Sequence, residues 1–326
     1  MKLISIIVPV FNSASTIGRC LDSILGQNYP DIEVIVINDG SRDNSLDIIA
    51  NYENKYSNIK VFTQKNSGVS VARNFGIQKS VGDYIMFVDS DDSLQQNACS
   101  SLVKAFTSDV DLVLCGLNVY KDDSLIRSPR LKSGIYDLRS SIDYYWYLRS
   151  INLGPCNKLY RKDLIIKLFD TSLSLGEDCK FVIDYMRNVS KIAVLSECLY
   201  NVFLDNTGSL NRKYRKDRLE QLVAVRKYEA EFLSSYYPKV VDHRIYDEFF
   251  LDLHVILTDI IRRKIAPAKV LIKENILKCN YNSIYKQCCN NRCYYTLFKK
   301  LVCSGNISFL YYFLKFRIFI ERFALR

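Results

Sequence analysis

Five short, mostly apolar runs recur through the first 116 residues: Leu3–Val8, Ile32–Asn38, Ile59–Thr63, Tyr84–Val88 and Val110–Cys115. Runs this short and this apolar predict strands covered on both faces. The stretches between them, about Ser15–Gly26, Asn44–Tyr56, Val69–Lys79 and Asn97–Phe106, carry helical patterning. Alternating strand and helix predicts a mostly parallel sheet with helices on both faces. Ligands of such open sheets bind beyond the carboxyl ends of the strands.

Beyond residue 116 the pattern is less regular. Residues 117–150 are polar and then Tyr-rich. Asn157–Tyr160 predicts a short strand or turn, Glu177–Asn188 a helix entered from Gly176, and Ile192–Leu195 a further short strand. From about Lys213 the pattern is helical, most clearly over Leu219–Leu233 and Ile245–Ile261.

Charge is distributed unevenly. The net charge of +10 arises wholly in the last fifth of the chain, where residues 260–326 hold 14 Lys and Arg against two acids, Glu274 and Glu321. With the aromatic residues of 306–326, this tail suits an anionic membrane surface or nucleic acid, the plainer alternative being a solvated helical face. Its longest uncharged stretch there, Leu301–Leu314, is too short to span a bilayer. The 11 Cys residues include no CxxC pair and read as free thiols. No secretory leader is expected at the N-terminus, because Pro9 and Asn12 interrupt its apolar run.

The strand ends carry the chemistry. The first ends in Val8-Pro9-Val10-Phe11-Asn12, where Pro9 is expected to stop strand pairing and backbone groups to read a nucleobase. The second ends in Asn38-Asp39-Gly40, and Asp39 can accept from a base N–H or a ribose hydroxyl. Asp43 reads as a structural cap. Gln64–Gly76 contains a Gly-Val-Ser helix entry that attracts anions. Its Arg73 can pair with a phosphate or with Asp39. The fourth strand runs directly into Asp89-Ser90-Asp91-Asp92. Two acids one residue apart can divide the work, Asp89 on a ribose and Asp91 on a divalent metal, with Asp92 a second ligand or a helix cap. Hard carboxylates suit Mg²⁺ or Mn²⁺.

These four segments, in this order, resemble the family 2 glycosyltransferases of the GT-A fold. The resemblance covers about residues 3–210. It implies a nucleoside-diphosphate sugar donor, usually UDP-linked, inversion at the anomeric carbon and a divalent metal. Gly154-Pro155-Cys156-Asn157-Lys158-Leu159-Tyr160-Arg161 is similar to the family's acceptor-side segment. Gly176-Glu177-Asp178-Cys179 is similar to its Glu-Asp motif, which implies Asp178 as catalytic base and Glu177 as runner-up. Inverting transfer needs one carboxylate to take the acceptor proton. One departure stands out: Tyr200–Leu210 keeps Asn206 and Ser209 but lacks the Arg many relatives carry, leaving Arg212, Lys213 or Arg215 as substitutes.

The expected fold is therefore α/β, a Rossmann-like GT-A domain with a C-terminal helical extension. Residues 1–212 form the transferase domain, donor-binding over about 1–116 and acceptor-side over 117–212, and residues 213–326 the basic, aromatic helical region. The implied partners are a nucleotide sugar and a lipid-linked glycan of a bacterial surface polysaccharide. Residues 260–326 can meet an anionic membrane or a second subunit. No nucleic-acid motif is visible. The expected location is the cytoplasm, with peripheral attachment to the inner face of the plasma membrane. Two alternatives share the acids: a sugar nucleotidyltransferase, which needs a Gly-rich basic loop after the first strand where Asn12-Ser13-Ala14-Ser15 stands, and a non-catalytic nucleotide-sugar binder.

Overall fold

The computed structural model describes residues 2–204, 217–238, 244–277 and 293–324. The chain divides into two compact units, Met1–Gly208 and Ser209–Arg326.

In the first unit, strands β1 (Ile4–Val10), β2 (Ile32–Asn38), β3 (Ile59–Thr63) and β4 (Tyr84–Phe87) alternate with helices α1 (Ile17–Leu25), α2 (Ser45–Lys55) and α3 (Val69–Lys79). The four strands are parallel, in the order β3-β2-β1-β4. Every residue of β1 and β2 is buried, as two covered faces require. Helix α3 lies close on β1 because Gly76 has no side chain. A Cβ there would sit 2.3 Å from Ile7 Cγ2. The one carboxylate in this layer, Glu33, is buried on β2 and accepts from Ser5 Oγ (2.5 Å), the Val81 N–H (2.7 Å) and Lys60 Nζ (3.3 Å).

Pro9 does not stop strand pairing. It lies within β1 opposite Ile37 of β2. Pairing of β1 with β4 ends earlier, at Ile7–Phe87. The missing N–H of Pro9 faces that side and removes no ladder bond.

The second half of the sheet is mixed. It contains β5 (Ser93–Leu94), β6 (Leu112–Lys121), β7 (Ser124–Arg127), β8 (Gly134–Asp137), β9 (Lys158–Arg161) and β10 (Lys191–Phe203). Helices α4 (Ala98–Ala105), α5 (Ile142–Ile151) and α6 (Glu177–Met186) connect them. Strand β9 runs antiparallel between β4 and β6. Strand β10 is parallel to β6 but antiparallel to β8 and β5. It continues eight residues past the expected end at Leu195. Polar Ser196 and Glu197 break the apolar pattern at a register shift between Val194 and Cys198, after which pairing resumes.

The second unit is helical: α7 (Arg218–Tyr236), α8 (Arg244–Arg262), α9 (Ala268–Leu277), α10 (Cys293–Ser304) and α11 (Ile307–Ala324). Leu219, Phe250, Leu257, Phe298, Leu310 and Leu314 lie in its core. Arg226 pairs with Asp252 and Glu229, each at 2.7 Å, and so ties α7 to α8. Among the described residues no helix is long and apolar enough to cross a membrane. Asn206, Ser209, Arg212, Lys213 and Arg215 lie outside the described residues, as do Cys279, Cys288 and Cys289.

Candidate active site

Because β1, β2 and β4 are parallel, their carboxyl ends share one edge. There the expected acids collect, together with the N-termini of α3 and α6. Asp39 follows β2 and is buried. Its Oδ1 accepts from Gln64 Nε2 and the Ser67 N–H, and its Oδ2 from the Gly68 N–H, all at 2.8 Å. The carboxylate thus holds the loop that opens α3, where Gly68 has φ +93°. Three of its roughly four acceptor positions are engaged.

Arg73, one turn into α3, is buried and donates through Nη2 to Asp89 Oδ1 at 2.8 Å. It pairs with Asp89, not with Asp39. Burial alone would lower the Arg73 pKa, but the Asp89 carboxylate outweighs it and raises the value. Its guanidinium also lies 5.3 Å from the centre of the Phe169 ring. Asp89 is part-exposed and further anchored: its Oδ2 is 3.4 Å from Cys156 Sγ, and its N–H donates to Tyr200 Oη at 3.1 Å.

Asp91 is exposed at the rim, and its carbonyl accepts from Arg19 Nη2 at 2.6 Å. Asp92 is buried, and it does not cap a helix. Two residues of β5 follow it, and α4 begins after Asn97. Asp92 instead accepts from the Tyr200 hydroxyl (2.8 Å) and the Phe203 N–H (3.1 Å), which fastens β10 to this edge. Burial, then the charges of Asp89 and Asp91, push its carboxyl well above the usual range. Asp43 is structural: it accepts from the N–H groups of Ala14 and Ser45, each at 3.0 Å. Phe11 is 45% exposed at the end of β1, beside Asn12 with φ +51°.

Glu177 and Asp178 form the first turn of α6, entered from Gly176 with φ +81°. An aromatic floor fixes this turn. Phe181 of α6 stacks on Phe169 at 3.9 Å, and both meet Phe87 of β4 edge-on at 5.6 and 5.4 Å. Asn74 of α3 clamps Phe169, accepting from its N–H at 2.8 Å and donating to its carbonyl at 2.9 Å. Asp178 lies close enough to raise the pKa of Arg73, and Arg73 and Asp89 both act on Glu177. Burial, then the Asp178 charge, raise the Glu177 carboxyl. The Arg73–Asp89 ion pair and the paired acids of α6 therefore lie close together. Asp178 accepts from the Cys179 N–H at 2.7 Å.

Sequence reasoning quoted Lys158 and Tyr200 without giving them roles. Lys158 is fully buried at the start of β9. It donates to the carbonyls of Gly154 (2.7 Å) and Asn152 (2.9 Å) and to Asn157 Oδ1 (3.0 Å). It thereby shapes the loop that carries Cys156. Burial pushes its ammonium down to about 8. Between about pH 8 and the unfolded value near 10.4, the unfolded chain binds more protons. Stability is therefore expected to rise with pH across that window. Denaturant midpoints of the wild type and Lys158→Met, compared from pH 7 to 10, check this; identical pH slopes refute it.

A cavity of about 620 Å³ lies at the opposite edge of this sheet, lined by Lys2, Asp83, Arg161 and Asp163. Its charged groups are spent on one another, as Lys2–Asp83 (2.7 Å) and Arg161–Asp163 (2.6 Å). The chemistry-bearing acids lie elsewhere, so size does not mark the site here.

A mixed sheet with helices on both faces and acids gathered beyond its parallel strands defines the GT-A class of glycosyltransferase. The chain belongs to glycosyl transferase family 2, whose profile matches residues 5–169. It is 32% identical over 248 residues to the uncharacterised glycosyltransferase EpsJ of Bacillus subtilis, covering 71% of this chain and 69% of the relative. Among solved structures it is similar to S. aureus TarS 1–349 in complex with UDP-GlcNAc (TM-score 0.71, 21% identity, 96% of this chain and 90% of that one). It is also similar to the mannosyltransferase PcManGT of Pyrobaculum calidifontis in complex with GDP-Man and Mn²⁺ (TM-score 0.56, 15% identity, 94% and 86%).

Proposed function

We propose that this glycosyltransferase moves a sugar from a UDP-linked donor to a hydroxyl of a lipid-linked glycan, with inversion, in the synthesis of a bacterial surface polysaccharide. The observation that carries the reading is the Arg73–Asp89 ion pair, two residues before Asp91, with Glu177 and Asp178 close enough for their charges to act on it. On this reading the nucleotide site and the candidate base adjoin.

On the donor side, the exposed Phe11 ring offers a face to the base, beside the backbone of Pro9 and Val10. Asp39 offers its remaining acceptor position to a base N–H. Asp89, fixed by Arg73, accepts from a ribose hydroxyl. Among the described residues no three His, Cys, Asp or Glu side chains form a metal cage. The residues nevertheless fit a hard dication completed by substrate phosphates: Asp91 is an exposed carboxylate two residues from the part-exposed Asp89, and the charges of both add to the burial that raises the Asp92 carboxyl. Mg²⁺ or Mn²⁺ held by Asp91 would neutralise the departing diphosphate.

On the acceptor side, Asp178 takes the hydroxyl proton as that oxygen attacks the anomeric carbon. The bond to the diphosphate oxygen breaks on the opposite face, with oxocarbenium character in between. Glu177 is the second candidate, its basicity raised by burial. The chain is read as acting at the cytoplasmic face of the membrane, where its basic C-terminal unit supports a lipid-linked acceptor.

Asp91 is tested through donor binding. UDP-sugars with Mn²⁺ are expected to raise the melting temperature of the wild type by mass action. Asp91→Ala is expected to lose the metal-dependent part of that shift and about 10²-fold in transfer rate. An unchanged metal-dependent shift in Asp91→Ala would remove it as the ligand.

A further inference from the structure

We propose that the outward face of α11 in the C-terminal unit docks on an anionic phospholipid bilayer. Leu310, Leu314 and Ile318 turn inward and are buried. The other side of the helix shows water Phe309 (56% exposed), Tyr312 (60%) and Phe316 (63%), at spacings of three and four residues. Three large aromatic side chains more than half exposed on one helical face form an apolar patch that a soluble surface rarely tolerates.

The surrounding charge selects the occupant. Lys269 at the start of α9 lies 5.1 Å from the centre of the Tyr312 ring, and its Nζ is 3.4 Å from Ser308 Oγ. Lys315 lies on α11 between the aromatic face and a neighbouring cavity of about 590 Å³. The cavity walls are apolar, from Ile260, Ile265, Tyr311 and Ile318, and its cations include Lys264 and Lys315. No acid lines it. From residue 260 to the end of the chain only Glu274 and Glu321 oppose 14 basic residues. Aromatic side chains that enter the headgroup layer, ringed by lysines, match a negatively charged leaflet: the rings gain apolar contact and the ammonium groups meet lipid phosphates. The cavity beside Lys315 is open to one such headgroup. A second copy of this chain would bring the same positive charge to both sides of the contact.

Co-sedimentation with phosphatidylglycerol–phosphatidylcholine vesicles (about 3:7) against pure phosphatidylcholine tests the surface, and no sugar donor is needed. The wild type is expected to partition onto the anionic vesicles and to come off at high salt. The Phe309→Ser/Tyr312→Ser/Phe316→Ser and Lys269→Glu/Lys315→Glu variants are each expected to lose about tenfold or more in partitioning. Circular dichroism and transfer to a water-soluble acceptor are expected to stay at wild-type level, since every changed side chain is exposed. Three outcomes overturn the proposal: no retention of the wild type on anionic vesicles, retention of either variant at the wild-type level, or a wild-type dimer that the triple Ser variant dissociates.

Discussion

Asp178→Asn is expected to lower the rate of sugar transfer by at least about 10²-fold while leaving donor binding at wild-type strength. The change preserves the shape of the side chain and an acceptor for the Cys179 N–H. The helix turn that carries it is held from below by Phe181 stacked on Phe169, so no movement should accompany the loss of charge. What disappears is a carboxylate able to take a proton. Glu177→Gln, one residue away, should cost far less if Asp178 is the base. Single-turnover rates with saturating donor measure the effect directly. Near-normal turnover of Asp178→Asn, with a collapse in Glu177→Gln, would exchange the two roles.

The second large effect is expected on stability. Arg73→Met should destabilise the fold by about 2–3 kcal/mol, below the usual range for breaking a buried pair because water reaches part of Asp89. The methionine fills the space of the stem but leaves the Asp89 Oδ1 without its cation in an enclosed site. Arg73→Lys should recover little, because a point charge on a shorter stem cannot keep both the bond to Asp89 and the place over Phe169. Urea denaturation of Arg73→Met, Asp89→Asn and the double variant forms a complete cycle. A coupling energy near zero would show that the pair contributes nothing. Donor affinity should fall in the same series, because Arg73 fixes the Asp89 rotamer.

Much of this was legible from local pattern. β1, β2 and β4 declared themselves because burial on both faces leaves mostly apolar residues, and the acids after them stood out against that background. Asp39, Asp89 and Asp91 were legible as neighbours, because the topology of parallel strands dictates where their ends lie; Glu177 and Asp178 came from the family resemblance alone, and the roles of all five are proposals. Partners were not legible. Arg73 binds Asp89 instead of Asp39 because the entry loop of α3 already occupies Asp39 with its own N–H groups. The role of Asp92 depends on Tyr200, 108 residues away, and no local spacing reveals that. Lys158 sits in an apolar strand pattern as an apparent surface charge. Only the carbonyls of Asn152 and Gly154, which the preceding loop turns inward, make its burial tolerable. β10 was cut short for a similar reason: a bulge disguises one strand as a strand and a polar loop.

Strand β9 has a consequence for anyone who would recombine this enzyme with its relatives. It comes late in the chain, yet it lies antiparallel between β4 and β6, bonded on one side to the parallel half of the sheet and on the other to the mixed half. The residues up to 116 are therefore not an interchangeable cassette. Cut out alone, they would expose the open edge of β4 along Tyr84–Met86, an invitation to aggregate. A chimera should take its foreign sequence from the β7, β8 and α5 region and return to the native chain before Gly154. β9 and the loop that Lys158 braces would then travel with the strands they complete.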